Sequence, residues 1–378
     1  MMVLSWIVAA LLAGSLVYCI LIVIAARRYL SVPQPQSQDS PPISVLKPMY
    51  GDEIGLEENL RSFFEQNYPE FEILFALHAS DDSARPVVER LQGEYAGRVS
   101  SRIIITGESP IPNAKAHSLE TLVARAKYDL LVMSDSDVRA HPGLLRQLAR
   151  EIADERVGLV TCPYRAGAEG GSIWSKLEAL GINTEFLAGV LVSRMLEGVR
   201  FAVGSAIAIR RNVLEKIGGF AYLREFLAED FVMGNRTAQL GYEVVLSSYV
   251  VEHRIGKEDL AQSLRHRLRW ARSTRRSRPV GYLGQLFTYP LPLACLFCAL
   301  RPDLWPVAAA VLLLRAWAAW ATAHEVLHDP LSKRYWWLLP VQDVLGFAIW
   351  FGGFMGRKIV WRDRQCILLS DGRLQVNS

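Results

Sequence analysis

The stretch Tyr128-Asp129-Leu130-Leu131-Val132-Met133-Ser134-Asp135-Ser136-Asp137 decides how the chain is read. Four apolar residues, Leu130 to Met133, run without a break into an acid-hydroxyl-acid triplet. An apolar run of this kind, cut off by polar residues, predicts a strand buried on both faces of a parallel sheet. Open α/β sheets collect their ligands at the carboxyl ends of the strands, so Asp135 and Asp137 are expected at the lip of a crevice. Two carboxylates at i and i+2, on a chain leaving its strand, can converge on one hard divalent cation such as Mg²⁺ or Mn²⁺. An ion of this type keeps several waters and takes further ligands from substrate phosphates. A bare Asp-x-Asp is also an ordinary solvated turn, so the company it keeps carries the argument.

Outward from that strand, apolar and helical patterns alternate. Strands are predicted at Ile43–Pro48, Phe71–Leu77, Arg102–Ile105, Gly158–Cys162 and Ala202–Ile209. Helical spacing covers Gly55–Gln66, Val87–Tyr95, Leu119–Ala126, His141–Ala153 and Phe226–Leu240, the last starting near Glu229-Asp230. Strands alternating with helices of this length give βαβ units and an α/β domain with a mainly parallel sheet.

The flanks are of another character. Val3 to Ala26 is apolar without a charge and is followed by Arg27 and Arg28. It is long enough for a bilayer span, which takes about 20 residues. A cleaved signal places its charges first; here they follow, which marks a retained anchor with the next domain on the cytoplasmic side. Ser31 to Pro42 is rich in Pro, Gln and Ser and predicts a semi-extended linker. Trp174 to Arg200 fits either an interfacial helix or a core helix. Leu260 to Arg278 predicts a strongly basic helix, and Tyr282–Leu300, Leu304–Ala323 and Tyr335–Met355 are apolar segments of near-spanning length. Pro290, Pro292 and Arg315 interrupt the first two, and spanning by all three would put the basic stretch Arg357–Arg364 outside, so at least one is expected not to cross. The expected plan is an anchor at 1–28, a linker at 29–42, a catalytic domain at 43–280, membrane segments at 281–356 and a basic tail at 357–378.

The chain has 378 residues, 51% of them hydrophobic, and a formal charge of +4. That mild excess, placed mostly beside apolar segments, points to a membrane surface and away from nucleic acid. Five cysteines, three of them in strongly apolar segments, do not make a disulfide framework.

Five features fall in order on the α/β pattern. Asp82 follows a strand, where it would bind a nucleoside. Lys115 lies in the loop Ile111-Pro112-Asn113-Ala114-Lys115 and would neutralise phosphate as a point charge. Asp135 and Asp137 would hold the metal, with Asp135 also touching a nucleotide-sugar. Asp230, in Glu229-Asp230, would be the general base that deprotonates an acceptor hydroxyl. His266, Arg269 and Trp270, in His266-Arg267-Leu268-Arg269-Trp270, would hold a departing diphosphate.

This order, D, DxD, ED and then xxxRW, resembles the membrane-bound family 2/21-type glycosyltransferases with a GT-A fold, and more closely the ceramide glucosyltransferases and their bacterial hopanoid-biosynthesis relatives. The segments that carry the resemblance are Ser44–Pro48, Asp81-Asp82, Asp135–Arg139, Gly158–Cys162, Leu227–Asp230 and Arg269–Arg272. It covers nearly the whole chain and implies a UDP-sugar donor, a divalent cation, inversion at the anomeric carbon and a lipid alcohol as acceptor. The usual (Q/R)xxRW has His266 at its first position here, so that residue departs from the pattern. Thr161–Arg165 and Arg278–Tyr282 are more similar to the hopanoid branch, which implies UDP-N-acetylglucosamine as donor and bacteriohopanetetrol as acceptor, in a bacterial inner membrane. The ceramide branch implies UDP-glucose and ceramide.

A motif of another class competes. His324-Glu325-Val326-Leu327-His328 matches HExxH, the zinc-protease pattern that places two histidines on one helix face. No third ligand accompanies it, and that reading leaves the α/β domain without a task.

Overall fold

The strand from Leu130 to Ser134 lies inside a seven-stranded sheet, buried at every residue. The computed structural model describes residues 2–49, 51, 53–361 and 364–376. The chain forms two compact units that interleave along the sequence. One comprises Pro33–Tyr164, Val199–Gly256 and Trp361–Ser378; the other comprises Met1–Val32, Arg165–Gly198 and Lys257–Val360.

In chain order the strands are β1 (Ile43–Pro48), β2 (Phe71–Leu77), β3 (Ser100–Ile105), β4 (Leu130–Ser134), β5 (Val138–Arg139), β6 (Val157–Thr161), β7 (Tyr164–Gly167), β8 (Ala206–Arg210), β9 (Glu243–Leu246), β10 (Val251–Arg254), β11 (Lys358–Trp361), β12 (Arg364–Leu368) and β13 (Leu374–Val376). The large sheet has the order β3-β2-β1-β4-β8-β6-β9. Its β1–β2, β2–β3, β1–β4 and β6–β9 pairs are parallel, and β8 runs antiparallel to both neighbours. This is a GT-A-like α/β fold, as the βαβ alternation predicts. Chain order reverses between β1 and β4, and a crevice opens at such a switch point beyond the strand ends. Leu46, Leu74, Leu131, Leu159 and Ile209 belong to a core that also takes Leu119, Leu122, Phe220 and Met233 from helices.

Two elements of this unit depart from expectation. The helix expected from Leu119 begins at Ala114, because the Asn113 side chain accepts a hydrogen bond from the Ala116 amide and caps it. Lys115 therefore sits on the first turn of a helix, not in a loop. The expected basic tail contains a hairpin, with β12 and β13 paired antiparallel around a turn in which Gly372 has φ of 86°. Asp371-Gly372 is a hairpin-turn dipeptide, and only glycine adopts that backbone without strain. Residues 362 and 363 of that tail, with 377 and 378, lie outside the described residues.

The second unit is helical. Among the described residues three helices are long and apolar enough to cross a membrane, Met2–Leu30, Ile173–Glu197 and Pro306–Val326, and the pair Pro279–Thr288 and Pro290–Leu300 is bent by 60°. The bend falls where Pro290 cannot donate to the preceding turn. The segment expected at Tyr335–Met355 divides, and its longest helix, Leu339–Gly352, has 14 residues. At 1.5 Å per residue it reaches only about 21 Å, short of the ~30 Å of a hydrocarbon core.

Arg315, a charge in an apolar helix, is 2% exposed, and its guanidinium donates to both carboxylate oxygens of Asp343 at 2.9–3.1 Å. Breaking such a buried pair leaves one charge uncompensated, whereas an apolar pair of like volume is close to neutral. Arg315→Met alone should cost about 3–5 kcal/mol in denaturation of the protein in detergent, and Arg315→Met with Asp343→Leu should recover most of it. Equal loss in the single and double variants would show that the pair is not the source.

The basic helix, Leu260–Ser277, starts in a capping box formed by Asp259 and Gln262. Arg272 donates to the Met355 and Lys358 carbonyls and Arg275 to that of Phe354. Part of its charge therefore binds main chain just past the Leu339–Gly352 helix, where carbonyl groups lack internal partners.

Candidate active site

At the switch point, β1 ends in Lys47-Pro48 and β4 runs into Ser134-Asp135. A small crevice there is lined by Pro48, Lys115, Asp135, Gly204, Glu229 and Asp230, with Met133 and Met233 behind. Lys115 Nζ lies 2.7 Å from Asp135 Oδ1 and 3.3 Å from Glu229 Oε1. Of the residues predicted from sequence, Lys115, Asp135 and Asp230 thus converge. Asp230 stands in the first turn of the helix Glu229–Gln239, with Glu229 beside it. Burial, and after it the neighbouring Glu229, pushes the Asp230 carboxyl up to about 7, although Lys115 and the Phe231 amide act in the opposite direction.

That helix reaches its place through two glycines. A Cβ at Gly204 would lie 2.8 Å from Asp230 Oδ2, and one at Gly234 would lie 2.3 Å from the Ala202 nitrogen. Backbone cannot move aside as a flexible side chain does, so Gly234→Ala should cost about 1–3 kcal/mol. Thermal unfolding and turnover should fall together, since the displaced helix carries Asp230. A melting point equal to that of the native chain would show that the helix tolerates the shift.

Asp137 has separate company. β5 pairs with β10 in a register that sets His253 opposite Val138, and the Arg254 amide donates to the Asp137 carbonyl at 2.9 Å. This places His253 Nδ1 3.3 Å from Asp137 Oδ1, a buried oxygen that no aligned hydrogen bond reaches. His253 is a neighbour that sequence reasoning missed. Its only local signal is the short pattern Val251-Glu252-His253-Arg254, and the strand pairing that brings it to Asp137 spans more than a hundred residues.

Lys47 and Glu53 were missed as well. Lys47 is fully buried, with Nζ 2.5 Å from the Asp135 carbonyl and 3.8 Å from the Phe63 ring centre. Burial lowers its amine to about 7 despite the nearby Asp135 and Asp137. Burial and the charge of Asp137 raise the Glu53 carboxyl, also to about 7.

Five carboxyl side chains (Glu53, Asp135, Asp137, Glu229 and Asp230) thus act on two amines, those of Lys47 and Lys115. Such an excess of buried and half-buried acid is held by protons or by a cation. An orphaned carboxylate oxygen on Asp137, with an imidazole beside it and Asp135 two residues away, is a donor set that fits Mg²⁺ or Mn²⁺.

The remaining predicted residues have other surroundings within their own units. Asp82 accepts from the His78 and Ala84 amides at 3.3 and 3.0 Å, closing the turn after β2. His266, Arg269 and Trp270 belong to the helical unit, on one face of Leu260–Ser277 by their i, i+3, i+4 spacing. There His266 Nδ1 is 2.6 Å from Glu178 Oε1, and its ring meets Trp270 edge-on at 4.5 Å. The departure from the (Q/R)xxRW pattern thus coincides with an ion-pair partner on the helix Ile173–Gly181.

The competing HExxH motif does not lie on an α-helix. Ala321–Val326 is a π-helix, and His328 lies past its end with φ of 50°. The histidines are not set at i and i+4 on an α-helical face, and His324 stacks on Trp320 at 3.9 Å. Among the described residues no third ligand joins them. The zinc-protease alternative is therefore set aside.

The family described as Glycosyl transferase family 21 matches residues 6–374. Ceramide glucosyltransferase 3 of Caenorhabditis elegans is 28% identical over 234 residues, 61% of this chain and 50% of that protein. Ceramide glucosyltransferase 1 of the same organism is 29% identical over 211 residues, 55% of this chain and 44% of that protein. The matches thus span about half the length of these curated relatives. Among solved structures, a mannosyltransferase of Pyrobaculum calidifontis, described in complex with GDP-Man and Mn²⁺, superposes with a TM-score of 0.57 at 21% identity. That superposition covers 93% of this chain and 97% of the other, and it establishes the shared fold.

Proposed function

The chain belongs to glycosyl transferase family 21, and from that premise we propose that it is an inverting, UDP-sugar-dependent transferase that glycosylates a hydroxyl of a membrane lipid. The observation that carries the reading is the place of Asp230, half-buried in the crevice that also holds Lys115 and Asp135, with its carboxyl raised to about 7. A general base is most effective when its pKa lies near the working pH. Asp230 would take the proton of the acceptor hydroxyl, whose oxygen attacks the anomeric carbon in line with departing UDP.

Lys115 would orient the donor through Asp135, and its ammonium stands ready to meet phosphate charge. Asp137, with Asp135 and the neighbouring His253, would hold the divalent cation, which supplies positive charge at the diphosphate. Arg269 and Trp270 would stabilise the leaving group. Asp82 would contact the nucleoside. His266, given its contact with Glu178, would orient the basic helix more than it contacts the donor.

The apolar helices Met2–Leu30, Ile173–Glu197 and Pro306–Val326 support a bilayer setting and an acceptor that arrives dissolved in lipid. Arg27 and Arg28 after the first helix favour a cytoplasmic catalytic unit, in a bacterial inner membrane if the hopanoid branch holds. Thr161–Arg165 and Arg278–Tyr282 favour UDP-N-acetylglucosamine and a hopanoid polyol such as bacteriohopanetetrol. The similarity to ceramide glucosyltransferases favours UDP-glucose and ceramide as a second reading.

The test is direct. Purified protein in lipid is given radiolabelled UDP-N-acetylglucosamine or UDP-glucose, each with bacteriohopanetetrol or ceramide. Label appearing on one lipid assigns the branch. No label on either lipid sinks the proposal.

A further inference from the structure

The hairpin β12–β13, in a segment expected from sequence to be a basic tail, reaches the chain just before the proposed base. The Leu374 amide donates to the Glu225 carbonyl at 2.8 Å, and the Leu227 amide donates to the Gly372 carbonyl at 3.3 Å. Phe226 and Arg373 form an antiparallel bridge between them. Arg373 adds an ion pair to Glu225 at 3.1 Å and lies 5.9 Å from the centre of the Phe226 ring. Residues 225–227 are thus tied to residues 372–374, at the turn end of β13, two residues ahead of Glu229-Asp230.

The contact does not stop there. The Phe226 carbonyl accepts from Asn113 Nδ2 at 2.8 Å, and the same amide donates to Glu229 Oε2 at 3.0 Å. Asn113 is fully buried, and its oxygen caps the helix that bears Lys115. A network of hydrogen bonds, joined by the backbone of residues 225–227, therefore runs from the hairpin through Asn113 to Glu229. Lys115 and Asp135 continue it as ion pairs. The helix Glu229–Gln239 has no side-chain N-cap of its own. Its entry geometry is held by pairing with β13, where most helices use a local Ser, Thr, Asp or Asn.

We propose that the β12–β13 hairpin is a positioning element for catalysis, with Arg373 and Leu374 holding residues 225–227 so that Asp230 and Glu229 meet Lys115 in register. The inference rests on the reading of Asp230 as the base. Neither residue touches the reacting atoms; each acts through the Glu225–Leu227 segment.

Leu374→Pro removes the amide donated to Glu225 and leaves the crevice untouched, whereas Leu374→Ala keeps that amide. Full-length variants in lipid would be counted by UDP-binding sites, so that unfolded protein does not contribute. Per site, kcat should fall by about one to two orders of magnitude in Leu374→Pro, with UDP affinity unchanged and Leu374→Ala close to native. Amide exchange at Leu227 should become faster in the proline variant alone. If that variant does not fold, Arg373→Ala carries the test, with faster Leu227 exchange and a lower kcat at unchanged UDP affinity. Native kcat per site in the folded variant, or unchanged exchange at Leu227, overturns the inference. A native chain that transfers sugar to no lipid defeats the reading of function instead, and the exchange measurement still reports on the hairpin.

Discussion

Asp230→Asn should lose about 10²- to 10⁴-fold in kcat, the usual contribution of a positioned general base, while UDP binding stays near native. The side chain keeps its shape and its place beside Gly204, so the loss isolates the proton transfer. In the native chain the rate should climb as pH rises through about 7, where the raised Asp230 carboxyl ionises. Stability should move in the opposite sense. An acid raised from 3.8 to about 7 holds its proton longer in the folded state than in the unfolded one, so stability declines as pH climbs through that window. The Asn variant should show neither the rate limb nor that part of the stability slope. Rate profiles and thermal melts between about pH 5 and 8 check both, over the window where a raised carboxyl titrates. Full activity in Asp230→Asn would remove Asp230 from the mechanism.

Chelation, or Asp137→Asn, should have an effect of similar size. Asp137, the proposed ligand, has a buried oxygen that no aligned hydrogen bond reaches, with His253 at 3.3 Å. Even loss of an outer partner of a metal ligand costs about 10- to 100-fold in affinity, so loss of the ligand itself should cost at least that. Mn²⁺ binding followed by electron paramagnetic resonance, without donor or acceptor, reads the affinity directly. Transfer should stop with chelator and return with Mn²⁺ or Mg²⁺ in the native chain. The melting temperature of Asp137→Asn in the absence of metal should hold or fall, because burial is outweighed by His253, with Lys115 and Lys47, which hold the Asp137 carboxyl below its ordinary value in the folded chain. Native Mn²⁺ affinity in the variant would place the ion elsewhere.

Much of the architecture is written locally. The run Leu130–Met133 specifies a fully buried strand because each side chain meets apolar neighbours on both faces of the sheet. The triplet after it follows from strand polarity, since chain that leaves the carboxyl end must be polar where it meets the crevice. Glu229-Asp230 likewise lies in the first helical turn, where unpaired amides favour acids. Met2–Leu30 declares itself by length and composition, whereas the segments expected at Tyr282–Leu300 and Tyr335–Met355 are broken in the structure.

What local sequence does not hold is distance. Lys47, Glu53 and His253 come to the Asp triplet through β1–β4 and β5–β10 pairing, and no neighbour in sequence announces them. The Asp371-Gly372 turn could have been recognised, but its partner segment at 225–227 lies about 150 residues away. Arg315 looks like a fault in an apolar helix until Asp343, 28 residues on, supplies its counter-charge. By itself the sequence determined the buried strand, the order of acids, the apolar helices and so the class of fold, because burial and periodicity act on neighbouring residues. Only the tertiary structure decided which charges share a crevice, since a pair's energy depends on separation and on the dielectric around it, and both are set when distant strands close on one another.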